Sequence, residues 1–399
     1  MTARYAFNRM ELSGSLGDLG TLLPIAVAMI LVNNLSATGI FLGIGLFYIV
    51  SGVYFGLTVP VQPMKVVGAY AIATAMAPQE ILASSLLMSL FLLAVSLSGG
   101  IDVIRKLTPR AVIRGIQLST GVLLMAGGVR FMLGTSKYQE LRGAAEPFLN
   151  APDLGPIPFG VLLGVLGGIV TLALLENRRL PAGLAVVVLG LLCGLLFGAG
   201  GGLAAISPGF HMPKIMPFGL PAGTDFTFAL FALVLPQLPM TLGNASIAYT
   251  DLSREYFPEK SGRVTNKRVC VSMALANIGA FLLGGFPMCH GAGGLAAHYR
   301  FGARTAGSNL MIGGAFVLLA LLLGEDIVAV LNLLPMAVLG VLLLFAGSQL
   351  ALTILDLRQR KDLFVALLIL GITLAANLAW GFVVGIALAW ALKWKKLSV

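Results

Sequence analysis

The stretch Gly284–Arg300, "GGFPMCHGAGGLAAHYR", decides the fold of this chain. It sets a proline, a cysteine, two histidines and five glycines inside a sequence that is mostly apolar. Pro287 suits the first turn of a helix, where its missing N–H costs nothing. The helix that follows, expected over 288–302, falls short of the roughly 20 residues that cross a bilayer. A helix that starts in mid-membrane leaves free N–H groups and a partial positive charge at its N-terminus. Such groups cannot face lipid, so they line a cavity or meet a ligand. Glycines at 291, 293 and 294 would let that ligand approach the backbone. An anion is the natural occupant. The competing explanation is that the glycines serve only tight helix packing.

A membrane setting follows from composition. The 399 residues are 58% hydrophobic and 11% charged, with mean hydropathy +0.96. Soluble domains carry about 25% charge, and a single soluble core stops growing near about 250–300 residues. Apolar runs such as Ile157–Leu175 and Leu180–Ala199 are long enough to span as helices. Fourteen segments are expected, at 14–32, 37–57, 63–76, 78–98, 109–133, 157–175, 180–199, 224–250, 266–284, 288–302, 305–324, 328–351, 362–376 and 379–394, those at 63–76 and 288–302 being short. The N-terminus lacks a signal peptide's order. Cys193, Cys270 and Cys289 fall in apolar segments, against a disulfide framework.

The net charge of +10 could suggest nucleic acid, but the distribution of basic residues points to the membrane instead. With the N-terminus inside, 21 of the 26 Lys and Arg fall on inside regions; Arg130, Lys137, Arg142 and Lys214 fall outside, and Lys65 lies in a short segment. That bias places both termini in the cytoplasm of a multi-pass protein, and a bacterial inner membrane is expected. No regulatory (STAS) domain is expected beyond Leu392.

The two halves resemble one another. "TPRAVIRGIQ" from Thr108 and "LPMAVLGVLL" from Leu334 share a Pro-x-Ala-Val pattern 226 positions apart. "PVQPMKVVGAYA" from Pro60 and "GFPMCHGAGGLAA" from Gly285 both open a short segment with Pro-Met, 224 positions apart. Proline-broken segments, "GDLGTLLPIAVA" from Gly17 and "LVLPQLPMTLGNASIA" from Leu233, begin each half. Seven segments per half turn the second copy upside down, so residues 1–200 and 224–399 form two inverted repeats of one transmembrane unit. Paired interrupted segments at matching places mark a transporter binding site. The expected fold is therefore an all-α, 7+7 inverted-repeat transporter with two half-helices meeting at the midplane.

The site residues follow from that meeting. Gln62, Pro63, Met64 and Lys65 open the first half-helix; Cys289, His290, Gly291, Ala292 and Gly293 open the second. Lys65 is a buried cation and by default functional. It offsets substrate charge, pairs with Asp18, or snorkels. Asp18 is the candidate coupling carboxylate. Gln237, Thr241 and Asn244 donate hydrogen bonds to an oxyanion, or bond between helices. A neighbouring Cys-His pair points apart and makes no triad; His290 is expected near the substrate. No metal-ligand spacing occurs, so no metal and no cofactor are expected. No GxSxG, Asp-rich motif or paired catalytic carboxylate lies in a membrane segment, which weighs against an enzyme.

"GDLGTLLPIAVA", "PVQPMK", "RGIQLSTG", "LPQLPMTLGNA" and "PMCHGAGGLAAHYRFGARTAGS" together resemble the family 1 molybdate transporters, distant kin of the sulfate permeases. The resemblance covers nearly the whole chain. It implies core and gate domains, a substrate at the third and tenth segments, and import of molybdate, with tungstate and sulfate as further candidates. Proton coupling is plausible on charge grounds, because moving an anion inward against a negative interior costs about 2.3 kcal/mol per charge per 100 mV. A homodimer is implied by analogy. The alternative is a nucleobase or carboxylate permease of the same fold, which would be expected to place a carboxylate in the site.

Overall fold

The structure is a computed structural model describing residues 4–100, 109–150, 158–175, 177, 182–198 and 206–394. Arg105, Lys106, Arg178, Arg179, Lys395 and Lys396, all counted as inside residues, lie outside the described residues, as do the ends of the 157–175 and 180–199 segments.

The first half runs α1 (Arg9–Ser15), α2 (Leu19–Asn33), α3 (Ala37–Phe55), β1 (Gln62–Pro63), α4 (Lys65–Thr74), α5 (Pro78–Ser98), α6 (Arg110–Leu133), α7 (Lys137–Arg142), α8 (Phe159–Leu174) and α9 (Ala182–Phe197). The second runs α10 (Gly223–Ala229), α11 (Leu235–Met240), α12 (Tyr249–Tyr256), α13 (Asn266–Leu283), β2 (Met288–Cys289), α14 (Ala292–Phe301), α15 (Ala306–Leu323), α16 (Ile327–Leu331), α17 (Met336–Ala351), α18 (Arg360–Ala375) and α19 (Leu378–Ala391). The fourteen expected segments occur in the expected order. By length and apolarity alone, six helices among the described residues can cross a bilayer, or seven if the bent α1–α2 pair is one span. The remainder are shorter, like the 16-residue α8 and α9, or carry charge near one end, like α13.

Two expectations about proline need correction. The first segment does not break at Pro24, which sits inside α2; the chain bends by 45° between α1 and α2 instead. Pro236 and Pro239 do not break the eighth segment either. Residues 223–256 run continuously helical, with π-helical turns at Leu230–Val234 and Thr241–Ala248 on either side of α11. A π turn pairs an N–H with the carbonyl five residues back and so can supply a donor to a carbonyl that proline, lacking an N–H, leaves unpaired; such turns gather at functional sites. The expected 328–351 segment is divided, because Pro335 serves as the N-cap of α17.

Two groups of helices pack side by side. In one, α3 lies along α15 and α5 along α13, α13 also touches α3, and α2 packs on α4; in the other, α6 lies along α17, flanked by α8, α18 and α19. They meet where α4 and α11 touch α6, and where α2 touches α17 and α9. At one such crossing Gly20 of α2 faces Gly183 of α9, where a Cβ on Gly183 would stand 2.6 Å from the Gly20 Cα.

Candidate functional site: the meeting of two half-helices

The two interrupted segments touch. β1 and β2 form an antiparallel pair, Gln62 opposite Cys289 and Pro63 opposite Met288. The Met64 N–H donates to the Pro287 carbonyl at 2.8 Å. The extended segment leading into β1 and the strand β2 are each held by a buried asparagine. Asn309 of α15 accepts from the Val59 N–H at 2.9 Å and donates to the Val59 and Tyr48 carbonyls at 2.8 and 3.0 Å. Asn277 of α13 accepts from the Met288 N–H at 2.7 Å. Asn33 of α2 closes the far end of α4, donating to the Ala71 and Met76 carbonyls at 2.9 and 2.9 Å. Extended backbone at membrane depth is tolerable only when its polar groups are satisfied in this way. None of the three was foreseen, though a lone amide in an apolar helix is itself a signal.

α4 and α14 both begin beside this strand pair. The N-terminus of α4 is partly capped: the Val66 N–H donates to Gln237 Oε1 at 3.0 Å, and Gln237 Nε2 donates to Thr241 Oγ1 at 2.9 Å. Gln237 is therefore a clamp between α4 and α11, with its amide hydrogens turned to Thr241. The N-terminus of α14 differs. Its N-cap is Gly291, and among the described residues no side chain caps its first turn. The N–H groups of Ala292, Gly293 and Gly294 have no acceptor within the helix. Gly293 is exposed and Ala292 half-buried.

The glycines divide by what surrounds them. Gly284 ends α13 at φ +72, a left-handed position that suits glycine. A Cβ on Gly291 would lie 2.0 Å from Gln62 Oε1, and one on Gly294 would lie 2.5 Å from Asp18 Oδ2. Those two glycines make room for protein side chains, not for a ligand as the sequence suggested. Gly293 alone of the three opens onto free space, with nothing within 4 Å of its Cβ position.

Gln62 sits at the centre. Its Nε2 donates to Asp18 Oδ1 and Oδ2 at 2.7 and 2.7 Å, and its Oε1 accepts from Lys65 Nζ at 2.9 Å. Lys65 and Asp18 are thus joined through Gln62, not as the direct ion pair weighed from sequence. Lys65 is half-buried, and Asn244 is half-exposed in the second π turn. The structure does not bring every expected residue to this opening. His290 is fully buried, its Nδ1 2.9 Å from the Pro60 carbonyl, its Nε2 3.1 Å from Ser272 Oγ, and its ring 4.6 Å from that of Phe47. Cys289 Sγ rests 4.0 Å from the Pro63 carbonyl, and Met64 is core. Cys289 ends β2 and His290 follows it before α14 begins, so the pair lies outside any helix and neighbouring side chains on extended backbone alternate sides. Among the described residues no three His, Cys, Asp or Glu side chains gather as metal ligands.

Comparison with known families matches residues 10–124 and 229–350 to the family described as "Molybdate transporter of MFS superfamily". The matched blocks contain both half-helices. Molybdate transporter 1 of Chlamydomonas reinhardtii is 32% identical over 94% of this chain and 90% of its own length. The chain belongs to this molybdate transporter family. Molybdate transporters 1 and 2 of Arabidopsis thaliana are 30% and 29% identical, over 94% and 97% of this chain and 86% and 88% of their own lengths. Among solved structures, the transmembrane domain of the cyanobacterial bicarbonate transporter BicA superposes with TM-score 0.62 at 15% identity, covering 96% of this chain and 98% of that one. SLC26A9 superposes with TM-score 0.66 at 13% identity, covering 96% of this chain and 65% of that one. The fold is therefore the 7+7 inverted-repeat transporter fold. The protein is a multi-pass membrane transporter, not an enzyme.

Proposed function

We propose that this protein imports molybdate as a proton-coupled secondary transporter, holding the anion at the N-termini of α4 and α14. The observation that carries this is the uncapped first turn of α14, opening at exposed Gly293 next to the Gln62–Lys65 pair. Burying a free dianion in an apolar medium is prohibitive. Convergent N–H dipoles and one ammonium offset part of that cost without rearrangement. Lys65, Ala292 and Gly293 are the direct partners in this reading, with Asn244 at the rim; Thr241 is buried and holds the Gln237 amide. Gln237 acts by holding α4 in place, and Asp18 carries the coupling proton.

Alternating access follows from the two helix groups. The group bearing α4 and α14 moves against the group bearing α6 and α17, and Gly20–Gly183 is one of the surfaces that slide. Both termini face the cytoplasm of an inner membrane, which the distribution of Lys and Arg supports. Molybdate as the substrate is supported by the relatives; sulfate and tungstate share its tetrahedral chemistry. Uptake into proteoliposomes under an inside-alkaline gradient tests this. Molybdate accumulation that collapses with the gradient is expected. Accumulation of uracil, with none of molybdate, would reject the proposal.

A further inference from the structure

Asp18, Gln62 and Lys65 hold one amide between a carboxylate and an ammonium. Asp18 is 3% and Gln62 2% exposed. The two charges dictate which way the amide faces: its N–H groups meet Asp18 and its oxygen meets Lys65. The space around it is made by absent side chains. A Cβ at 291 would meet Gln62 Oε1, and one at 294 would come within 2.7 Å of Gln62 Nε2. On these two sides the amide faces glycines, which carry no side chain.

We propose that Gln62 is a rotating coupler that links anion binding at the half-helix termini to proton binding at Asp18. This rests on the proton-coupled transport proposed above. With Asp18 ionised, Gln62 Oε1 holds the Lys65 ammonium and keeps it from the anion. When a proton from solution adds to an Asp18 oxygen, the carboxyl becomes an O–H donor. The amide then turns over so that Oε1 accepts from it. Nε2 now faces Lys65, where two sets of donors repel. Lys65 is released to the dianion, and Nε2 adds a donor of its own. Loss of the proton on the other side of the membrane reverses the turn and recaptures Lys65. The proton returns to solution, and no bond between heavy atoms is made or broken.

The groups facing Asp18 are consistent with this division of labour. Lys65 on α4 is the cation among them; Tyr48 on α3 and Cys289 on β2 are the other titratable neighbours, with Thr21 of α2 beside the carboxylate. Tyr48 donates to the Val61 carbonyl at 3.4 Å and Cys289 faces the Pro63 carbonyl. Cys289 lies near enough to feel both charges, but among the described residues it is Gln62 that hydrogen-bonds to both Asp18 and Lys65 and so links the carboxylate to the ammonium.

The test is the molybdate dissociation constant of the purified full chain at pH 6 and pH 8, for wild type, Asp18→Asn and Gln62→Met. A single linked proton changes affinity by at most about tenfold per pH unit. Wild type is expected to bind at least tenfold more tightly at pH 6. Asp18→Asn, whose amide donates permanently to Gln62, is expected to bind within twofold of the pH 6 wild-type value at both pH values. Gln62→Met is expected to lose the pH dependence although Asp18 remains. Dependence that persists in Gln62→Met would show direct repulsion between carboxylate and anion and overturn the coupler, as would a pH-independent wild type. If Gln62→Met does not fold, Gln62→Asn takes its place with the same expectation, its shorter amide being unable to span both partners. A folded wild type that binds no oxyanion at either pH would instead reject the oxyanion site itself.

Discussion

Alanine at position 291 and alanine at position 293 should behave oppositely, two residues apart in one glycine-rich turn. A Cβ on Gly291 would stand 2.0 Å from Gln62 Oε1 and 2.8 Å from its Cδ. Gln62 cannot retreat without loosening its bonds to Asp18 at 2.7 Å and to Lys65 at 2.9 Å. Hydrogen bonds to charged groups contribute about 1.5–3 kcal/mol each, and overpacking alone costs about 1–3 kcal/mol. Since the chain can shift to keep part of this, Gly291→Ala should destabilise by about 3 kcal/mol and weaken molybdate binding together. Gly293→Ala meets no atom within 4 Å. It replaces glycine in a helix, where alanine is better by up to about 1 kcal/mol. Stability should hold or rise, while the methyl intrudes on the space where the anion meets the backbone and weakens binding at least tenfold. Thermal unfolding in detergent, with and without molybdate, reads both quantities. A Gly291→Ala protein as stable as wild type would refute the packing argument. A Gly293→Ala protein that binds molybdate normally would refute the placement of the anion.

Other perturbations reach different parts of the structure. Gln237→Ala strips the acceptor from the Val66 N–H and should cost about 1–2 kcal/mol, as losing a helix cap does, with reduced uptake at unchanged surface abundance. Asn309→Ala orphans Val59 and Tyr48 backbone groups; at about 1–3 kcal/mol per buried group it should abolish folded protein on size exclusion, whereas an exposed control such as Asn34→Ala should not. Gly183→Val drives a side chain into the Gly20 backbone and should stop transport in proteoliposomes while leaving molybdate binding intact. Glu146, in the polar connection after α7, accepts from the Met336 and Ala337 N–H groups, and burial pushes its carboxyl up to about 7 despite those two bonds. A folded pKa raised from 4.5 means stability present below about 4.5 and lost as pH rises through about 7, on the order of 3 kcal/mol in all. Glu146→Gln should flatten that part of the stability–pH curve.

Much of the fold was legible because half-helices advertise themselves. Two Pro-Met pairs 224 positions apart mark the strands that pair in space, and helix α4 begins two residues after Pro63. What stayed hidden depends on partners far away in sequence. Proline signals a break, yet Pro24 and Pro239 lie within helices, since neighbouring turns can reassign the carbonyls that proline leaves unpaired. Gln237 looked like a substrate donor, and its contact with Val66, 171 positions away, makes it a cap instead. His290 drew attention as a polar residue in a glycine-rich opening, but it lies on extended backbone and packs inward against Phe47. The opposite error concerns Asn277 and Asn309. They sit in apolar helices without any motif around them, and only the extended segments they hold reveal their purpose.

The most direct measurement is the anomalous difference density of tungstate bound to the crystallised protein, because the heavy tetrahedral anion reports its own position. A single peak is expected within hydrogen-bonding distance of the Ala292 and Gly293 N–H groups and of Lys65 Nζ, displaced by excess molybdate. A peak away from both half-helix termini, for example among Arg4, Lys260 and Arg263 at the end of α3, would contradict the assignment of the site.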